Sequence, residues 1–226
     1  MRLLPVILAL TACGAAELLA DSIVYSNGPV NGQLNAFAIN EGIVTADSFT
    51  LSAATSASSV TFVSWRDVAS DVFATVDWAI TSTDFGGTTF GSGTASLTES
   101  LLFKNSEGVS VFSDMFSLPD LALGPGTYWL QLGNAVVQNS VGTVINAPIF
   151  WDENNGPSLA FQQVNGTVIE SLANTDGPNT TGSETFSIAG TGSAVPEPAT
   201  GALVLGGMAI GWLAKGLKAA LRAAAG

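Results

Sequence analysis

Histidine is absent from this chain, and the single cysteine, Cys13, lies within an apolar N-terminal segment. Without histidine the commonest general base and metal ligand is missing. Ser-His-Asp, Cys-His and His-ligated zinc chemistry are therefore excluded. Beyond Cys13 there is no thiol to act as a nucleophile or to close a disulfide. A body of about 170 residues can bury a sufficient core without such staples. Cations are scarce too: between Asp21 and Ala194, sixteen Asp or Glu stand against Arg66 and Lys104 alone, a net of −14. A body charged in this way repels nucleic acid and anionic lipid, so nucleic acid is excluded as a partner. The 226 residues leave room for one domain of ordinary size plus terminal segments.

What is present is a β texture. From Ser22 onward Ser, Thr, Gly and Asn mix with β-branched and aromatic residues, and short runs alternate at period two. Ile23–Tyr25, Ala36–Ile39, Ala46–Ser52 and Val60–Trp65 read as strands. So do Phe73–Ser82, Thr88–Thr98 after the Gly86-Gly87 break, Val109–Ser113, Met115–Phe116 and Thr127–Leu132. Leu123-Gly124-Pro125-Gly126 is a turn signal. Ala147–Trp151, Leu159–Val164 and Glu184–Ala189 complete the set. No body segment longer than two turns shows a helical period. About ten short strands with regularly spaced turns predict an all-β fold, an antiparallel β-sandwich of jelly-roll type, over 21–190. The polar stretch from Asn165 to Gly182 reads as a long loop, and 191–195 as a linker.

The N-terminus has the layout of a secretory signal peptide over 1–20. Arg2 supplies the positive start, Leu3–Ala12 the apolar core, and Ala20 the small residue before a polar Asp21. Cleavage after Ala20 is expected, with cleavage after Ala16 as the alternative. Leu10-Thr11-Ala12-Cys13 also resembles a lipobox, in which Cys13 would carry a lipid.

The C-terminus is tripartite. Val195-Pro196-Glu197-Pro198 comes first, then the sixteen uncharged residues Ala199–Ala214, then Lys215, Lys218 and Arg222. As a helix, 199–214 spans about 24 Å, somewhat short of a ~30 Å hydrocarbon core. Lysine snorkelling and the following Leu217–Leu221 segment make spanning feasible. The cations all follow the helix, which places Gly226 in the cytoplasm and the body outside. The two prolines hold Glu197 in an extended backbone that cannot pair, a form accessible to a protease.

Together, the Pro-Glu-Pro punctuation, the apolar helix and the basic end resemble the PEP-CTERM sorting signal of Gram-negative bacteria, over 196–226 with Val195 before it. The resemblance implies recognition by an exosortase, a membrane-embedded cysteine protease, with cleavage near the motif and release or transfer to the cell surface. It also implies an association with exopolysaccharide and biofilm matrix. Pro196, Glu197 and Pro198 are then the recognition residues, and Lys215, Lys218 and Arg222 the retention end. That family usually ends in a compact Arg-rich cluster, whereas here the cations are spread at spacings of three and four.

In the body, Trp65, Trp78, Trp129 and Trp151 admit two accounts, stacking on sugar rings or packing in the core. Their apolar neighbours favour the core. Trp151, leading into Asp152-Glu153-Asn154-Asn155-Gly156-Pro157, is the most exposed candidate, and Trp151, Asp152, Glu153 and Asn154 form the candidate ligand-binding stretch. Neither that loop nor Asp67 with Asp71 has the spacing of a defined calcium loop, so no metal and no cofactor is expected. Asp77 is the one acid in a strongly patterned run, and one acid is not the pair that glycoside hydrolysis requires. Asn165-Gly166-Thr167 and Asn179-Thr180-Thr181 match the glycosylation pattern. The expectation is a non-enzymatic structural protein of the cell surface or extracellular matrix, with a carbohydrate-binding module as the alternative.

Overall fold

The structure, a computed structural model, describes residues 21–32, 35–171 and 182–192. The expected signal segment with Cys13, the expected sorting motif Val195–Pro198, the apolar segment 199–214 and the basic residues Lys215, Lys218 and Arg222 lie outside the described residues.

The described residues are all β. In chain order the strands are β1 (Ser22–Ser26), β2 (Ala36–Ala38), β3 (Ile43–Leu51), β4 (Thr55–Arg66) and β5 (Val72–Thr81). Next come β6 (Thr89–Ser96), β7 (Thr98–Lys104), β8 (Ser110–Leu123), β9 (Gly126–Gln138) and β10 (Val144–Ile145). The last are β11 (Phe150–Asn154), β12 (Ala160–Val164), β13 (Thr167–Ser171), β14 (Ser183–Glu184) and β15 (Phe186–Gly192). Among the described residues no helix is long and apolar enough to cross a membrane.

Every pairing is antiparallel, in two sheets. The first is centred on β4, which pairs β8 along one edge and both β15 and β11 along the other. The second runs β13-β12-β3-β9-β5-β6, with β10 added to β9. One hydrophobic cluster draws Phe62 of β4, Phe116 of β8, Trp151 of β11 and Phe186 of β15 from the first sheet. From the second it takes Phe49 of β3, Phe73 and Trp78 of β5, and Leu130 and Leu132 of β9. The sheets therefore share a single core, the arrangement of a β-sandwich.

Period-two alternation explains which side chains enter it. On β4, Phe62 faces the shared core while its neighbour Val63 joins Trp65 and Val111 in a second cluster on the opposite face. Val30, Ala36 and Phe150 pack against that second cluster. The β8–β9 hairpin turns at Gly124-Pro125, as the sequence predicts, and the Tyr128 hydroxyl closes the turn on the Gly124 carbonyl at 2.9 Å.

Three sequence expectations need correction. The polar stretch after Asn165 is not loop throughout. Asn165 adopts a left-handed φ of 48° and Gly166 one of 81°, which turns the chain so that Thr167–Ser171 folds back on β12. The run Val109–Phe116 likewise does not end at Phe116, because β8 continues through Pro119 to Leu123. Proline survives there at a break in the ladder, where pairing with β4 shifts register between Ala57 and Ser59 and Asp120 takes a φ of 38°. At the far end β15 carries through Thr191 and Gly192, residues that read in the sequence as linker.

Candidate functional site

The candidate stretch Trp151–Asn154 forms β11, and the structure turns it inward. Trp151, Asp152 and Glu153 are fully buried and Asn154 nearly so, which corrects the expectation that Trp151 stands exposed at a loop. The physical reason is that β11 is clamped on both sides, by β4 and β2 at its start and by β14 at its end. The Trp151 ring packs against Phe62 and Phe186 with centroids 6.1 and 5.7 Å away, and its indole N–H donates to the Thr185 carbonyl at 2.9 Å. No face is left for a sugar. Trp65 and Trp78 are buried as well, and Trp129 is half-buried against Phe161.

The carboxylates follow the same inward turn. Asp152 accepts from the Trp65 indole at 2.6 Å, the Thr185 hydroxyl at 2.7 Å and the Gly32 amide at 3.0 Å. Burial raises its carboxyl above the usual range, while the bonds from Thr185 and Trp65 pull it back. Glu153 and Glu184 stand directly opposite each other across β11 and β14, both buried.

Beside them sits a buried hydrogen-bonded cluster that the sequence reading missed. Asp47, in the middle of β3, accepts from the Asn27 side-chain amide at 2.8 Å, the Glu184 backbone amide at 2.6 Å and the Ser48 amide at 2.6 Å. Asn27 also donates to Ser158 and Ser183 hydroxyls, each at 2.6 Å, and to the Glu184 carbonyl at 2.7 Å. The Tyr25 hydroxyl donates to the Asn27 side-chain oxygen at 2.6 Å. Burial lifts Asp47 to about 7, opposed by the bonds it accepts, and burial with the Asp47 charge pushes the Tyr25 phenol up to about 12. The phenol is therefore a proton donor throughout the neutral range. A single Asp inside the otherwise apolar and Thr-rich run Ile43–Leu51 was the available signal.

A second buried group surrounds Arg66, which is 2 % exposed. Its guanidinium lies 3.4 Å over the Phe112 ring, donates to Glu99 at 2.7 Å and to the Asp71 carbonyl at 2.8 Å, and stands 3.8 Å from Asp114. Ser64 donates to Asp114. Burial raises Asp114 to about 6, against the pull of Ser64 and Arg66. Asp77, by contrast, is half-exposed on β5 and accepts from Asn134 at 2.9 Å and from Thr94. It is thus not the one acid on a patterned strand, since Asp47 lies within β3 and Asp114 within β8.

These raised carboxyls make a prediction about pH. Asp47 and Asp114 titrate in the folded protein near 7 and 6, against an ordinary value of 3.8. Between those values the folded form holds more protons than the unfolded chain, so stability falls as pH rises through that window. The thermal midpoint followed by circular dichroism is expected to be higher at about pH 5 than at about pH 8, and the dependence to weaken in Asp47→Asn. A midpoint that drops on acidification over that range contradicts the assignment.

Outside the clusters, an open groove of about 600 Å3 is lined by Gly28, Pro29, Asn31, Asn154, Asn155, Gly156 and Pro157. It lies against the end of β11, so the candidate stretch borders a concavity through Asn154 alone. Asp67 is exposed, Asp71 is half-buried, and a turn joins them through the Asp71 amide and the Val68 carbonyl. Among the described residues no group of three or more His, Cys, Asp or Glu is placed to hold a metal ion. No protein-family model matches the chain, and no curated protein matches it.

Proposed function

We propose that this chain is an exported structural protein of the cell surface or extracellular matrix, sorted and cleaved by an exosortase and associated with exopolysaccharide. The observation that carries the reading is the order Val195-Pro196-Glu197-Pro198, uncharged Ala199–Ala214, then Lys215, Lys218 and Arg222, behind an N-terminal signal layout. In this reading the signal helix 1–20 exports the chain and the helix 199–214 holds it transiently in the inner membrane, with the body outside the cytoplasm. The body itself takes a jelly-roll-like form. Support for that form comes from the chain crossing repeatedly between the two sheets, as from β3 to β4, β4 to β5 and β10 to β11. Support for a non-enzymatic role without cofactors comes from Asp114 and Asp152, which accept hydrogen bonds from the buried Ser64 and Thr185 of the fold.

Fractionation of C-terminally tagged protein from strains with and without an exosortase tests the reading. With the protease present, the tag is expected to separate from a body found at the surface or in the medium. An intact C-terminus and an unchanged location in both strains would sink it. The alternative, a non-catalytic carbohydrate-binding module, has one supporting observation, the groove beside Asn154 with the exposed Asn155 and Pro157 at its rim. Glycan-array binding that is lost in Asn155→Ala would favour it.

A further inference from the structure

Asn27 occupies a position that an ordinary amide does not fill well. Its side-chain nitrogen carries two hydrogens, yet four oxygens surround it at 2.6–2.8 Å: Asp47, Ser158, Ser183 and the Glu184 carbonyl. Two of the four are hydroxyls, which are nucleophiles when a base removes their proton. The Ser183 oxygen, 2.6 Å from that nitrogen, is bounded to within about 3.9 Å of the amide carbon by the ~1.33 Å C–N bond. Asp47, Asn27 and Ser183 are all fully buried, so water is excluded from competing.

We propose that Ser183 and Asn27 join in an intramolecular ester, formed by the fold itself, with Asp47 as proton shuttle and Tyr25 as the donor to the reacting carbonyl. The Asp47 carboxylate takes the Ser183 hydroxyl proton, directly across 3.5 Å or through the Ser158 hydroxyl 2.7 Å from Ser183. The Ser183 oxygen bonds to the side-chain carbon of Asn27. Negative charge then develops on the side-chain oxygen that Tyr25 already contacts at 2.6 Å, as an oxyanion donor should. The intermediate collapses with cleavage of the C–N bond. Asp47, 2.8 Å from that nitrogen, returns the proton to it, and ammonia leaves. A hydroxyl and an amide become an ester and ammonia, with no oxidant and no co-reactant.

Two features of the site suit this chemistry. A base works best when its affinity for protons lies near the working pH, and burial places Asp47 there. Tyr25 keeps its proton across the neutral range and so remains a donor. Ser183 is also the more rigid of the two hydroxyl residues, since β14 pairs it with Asn154 whereas Ser158 lies in the connection after β11. The product would tie the end of β1 to β14 in a body that has no cysteine, closing residues 156 apart in the sequence.

The chain offers a direct readout, because trypsin can cut between Asp21 and Ala194 only after Arg66 and Lys104. The full-length purified protein is expected to be one ammonia lighter than its sequence. After denaturation and trypsin, the fragment ending at Arg66 should remain joined to the one beginning at Asn105, with fragmentation placing the link between Asn27 and Ser183. Hydroxylamine should separate the two. Ser183→Ala should show the full sequence mass and separate fragments. A wild-type protein of full mass overturns the proposal. So does loss of ammonia with separable fragments, which marks a cyclised Asn27-Gly28 backbone, and so does a link mapped to Ser158.

Discussion

Replacing Arg66 with methionine is expected to lower the unfolding free energy by about 3–5 kcal/mol, the cost of removing one partner from a buried charge group. Arg66 is 2 % exposed, and the Asp114 carboxylate beside it is fully buried. Without the guanidinium, Asp114 keeps only the Ser64 hydroxyl, and Glu99 keeps the Phe73 amide at 3.2 Å. The methionine chain can still cover Phe112, so the loss reads the charge rather than the packing. The double variant Arg66→Met/Asp114→Leu removes the stranded carboxylate and is expected to recover part of the loss. Urea unfolding measures both. A single variant within about 0.5 kcal/mol of the parent would show that the group adds nothing net.

Trp151→Ala is expected to cost a similar amount, about 3–5 kcal/mol, from cavity creation in the core. The indole is fully buried between Phe62 and Phe186, at the point where β11 joins the edge of β4. Trp129→Ala provides the comparison, since that ring is half-buried and packs on Phe161. Its loss should be clearly smaller. Equal losses in the two variants, measured by denaturant titration with unchanged slopes, would contradict the burial described for Trp151.

The two tryptophans also illustrate what the sequence could and could not reveal. Alternation made the strands legible, as in Phe73–Ser82, because a half-buried strand writes period two into its side chains. The same rule stopped short at Trp151 and missed Asp152–Asn154, since a strand buried on both faces and at both edges carries no alternation to read. Polar neighbours such as Asp152, Glu153 and Asn154 look like a solvated loop until their partners are known. Those partners, Trp65, Gly32, Thr185 and Asn27, come from distant parts of the chain. The Asn27 cluster was invisible for the same reason: Asp47, Ser158, Ser183 and Glu184 lie 20 to 157 residues from Asn27. By contrast, the Leu123–Gly126 turn needs only neighbouring residues and was readable at once. So was the strand–turn–strand pattern around Gly86-Gly87, where Gly86 and Gly87 take φ of 103° and 68°. Local chemistry is written locally, and long-range satisfaction of buried groups is not.

The burial of Arg66 has a consequence at the scale of many molecules. It leaves Lys104 as the one basic side chain between Asp21 and Ala194 that solvent reaches, facing exposed acids such as Asp21, Glu41, Asp67, Glu107 and Asp120. Two copies approaching through these bodies meet a net excess of like charge. Their spacing is then set by ionic strength, through a screening distance of about 8 Å at physiological salt. A layer of such domains would swell in dilute medium and draw together in brine, its thickness governed by the surrounding electrolyte.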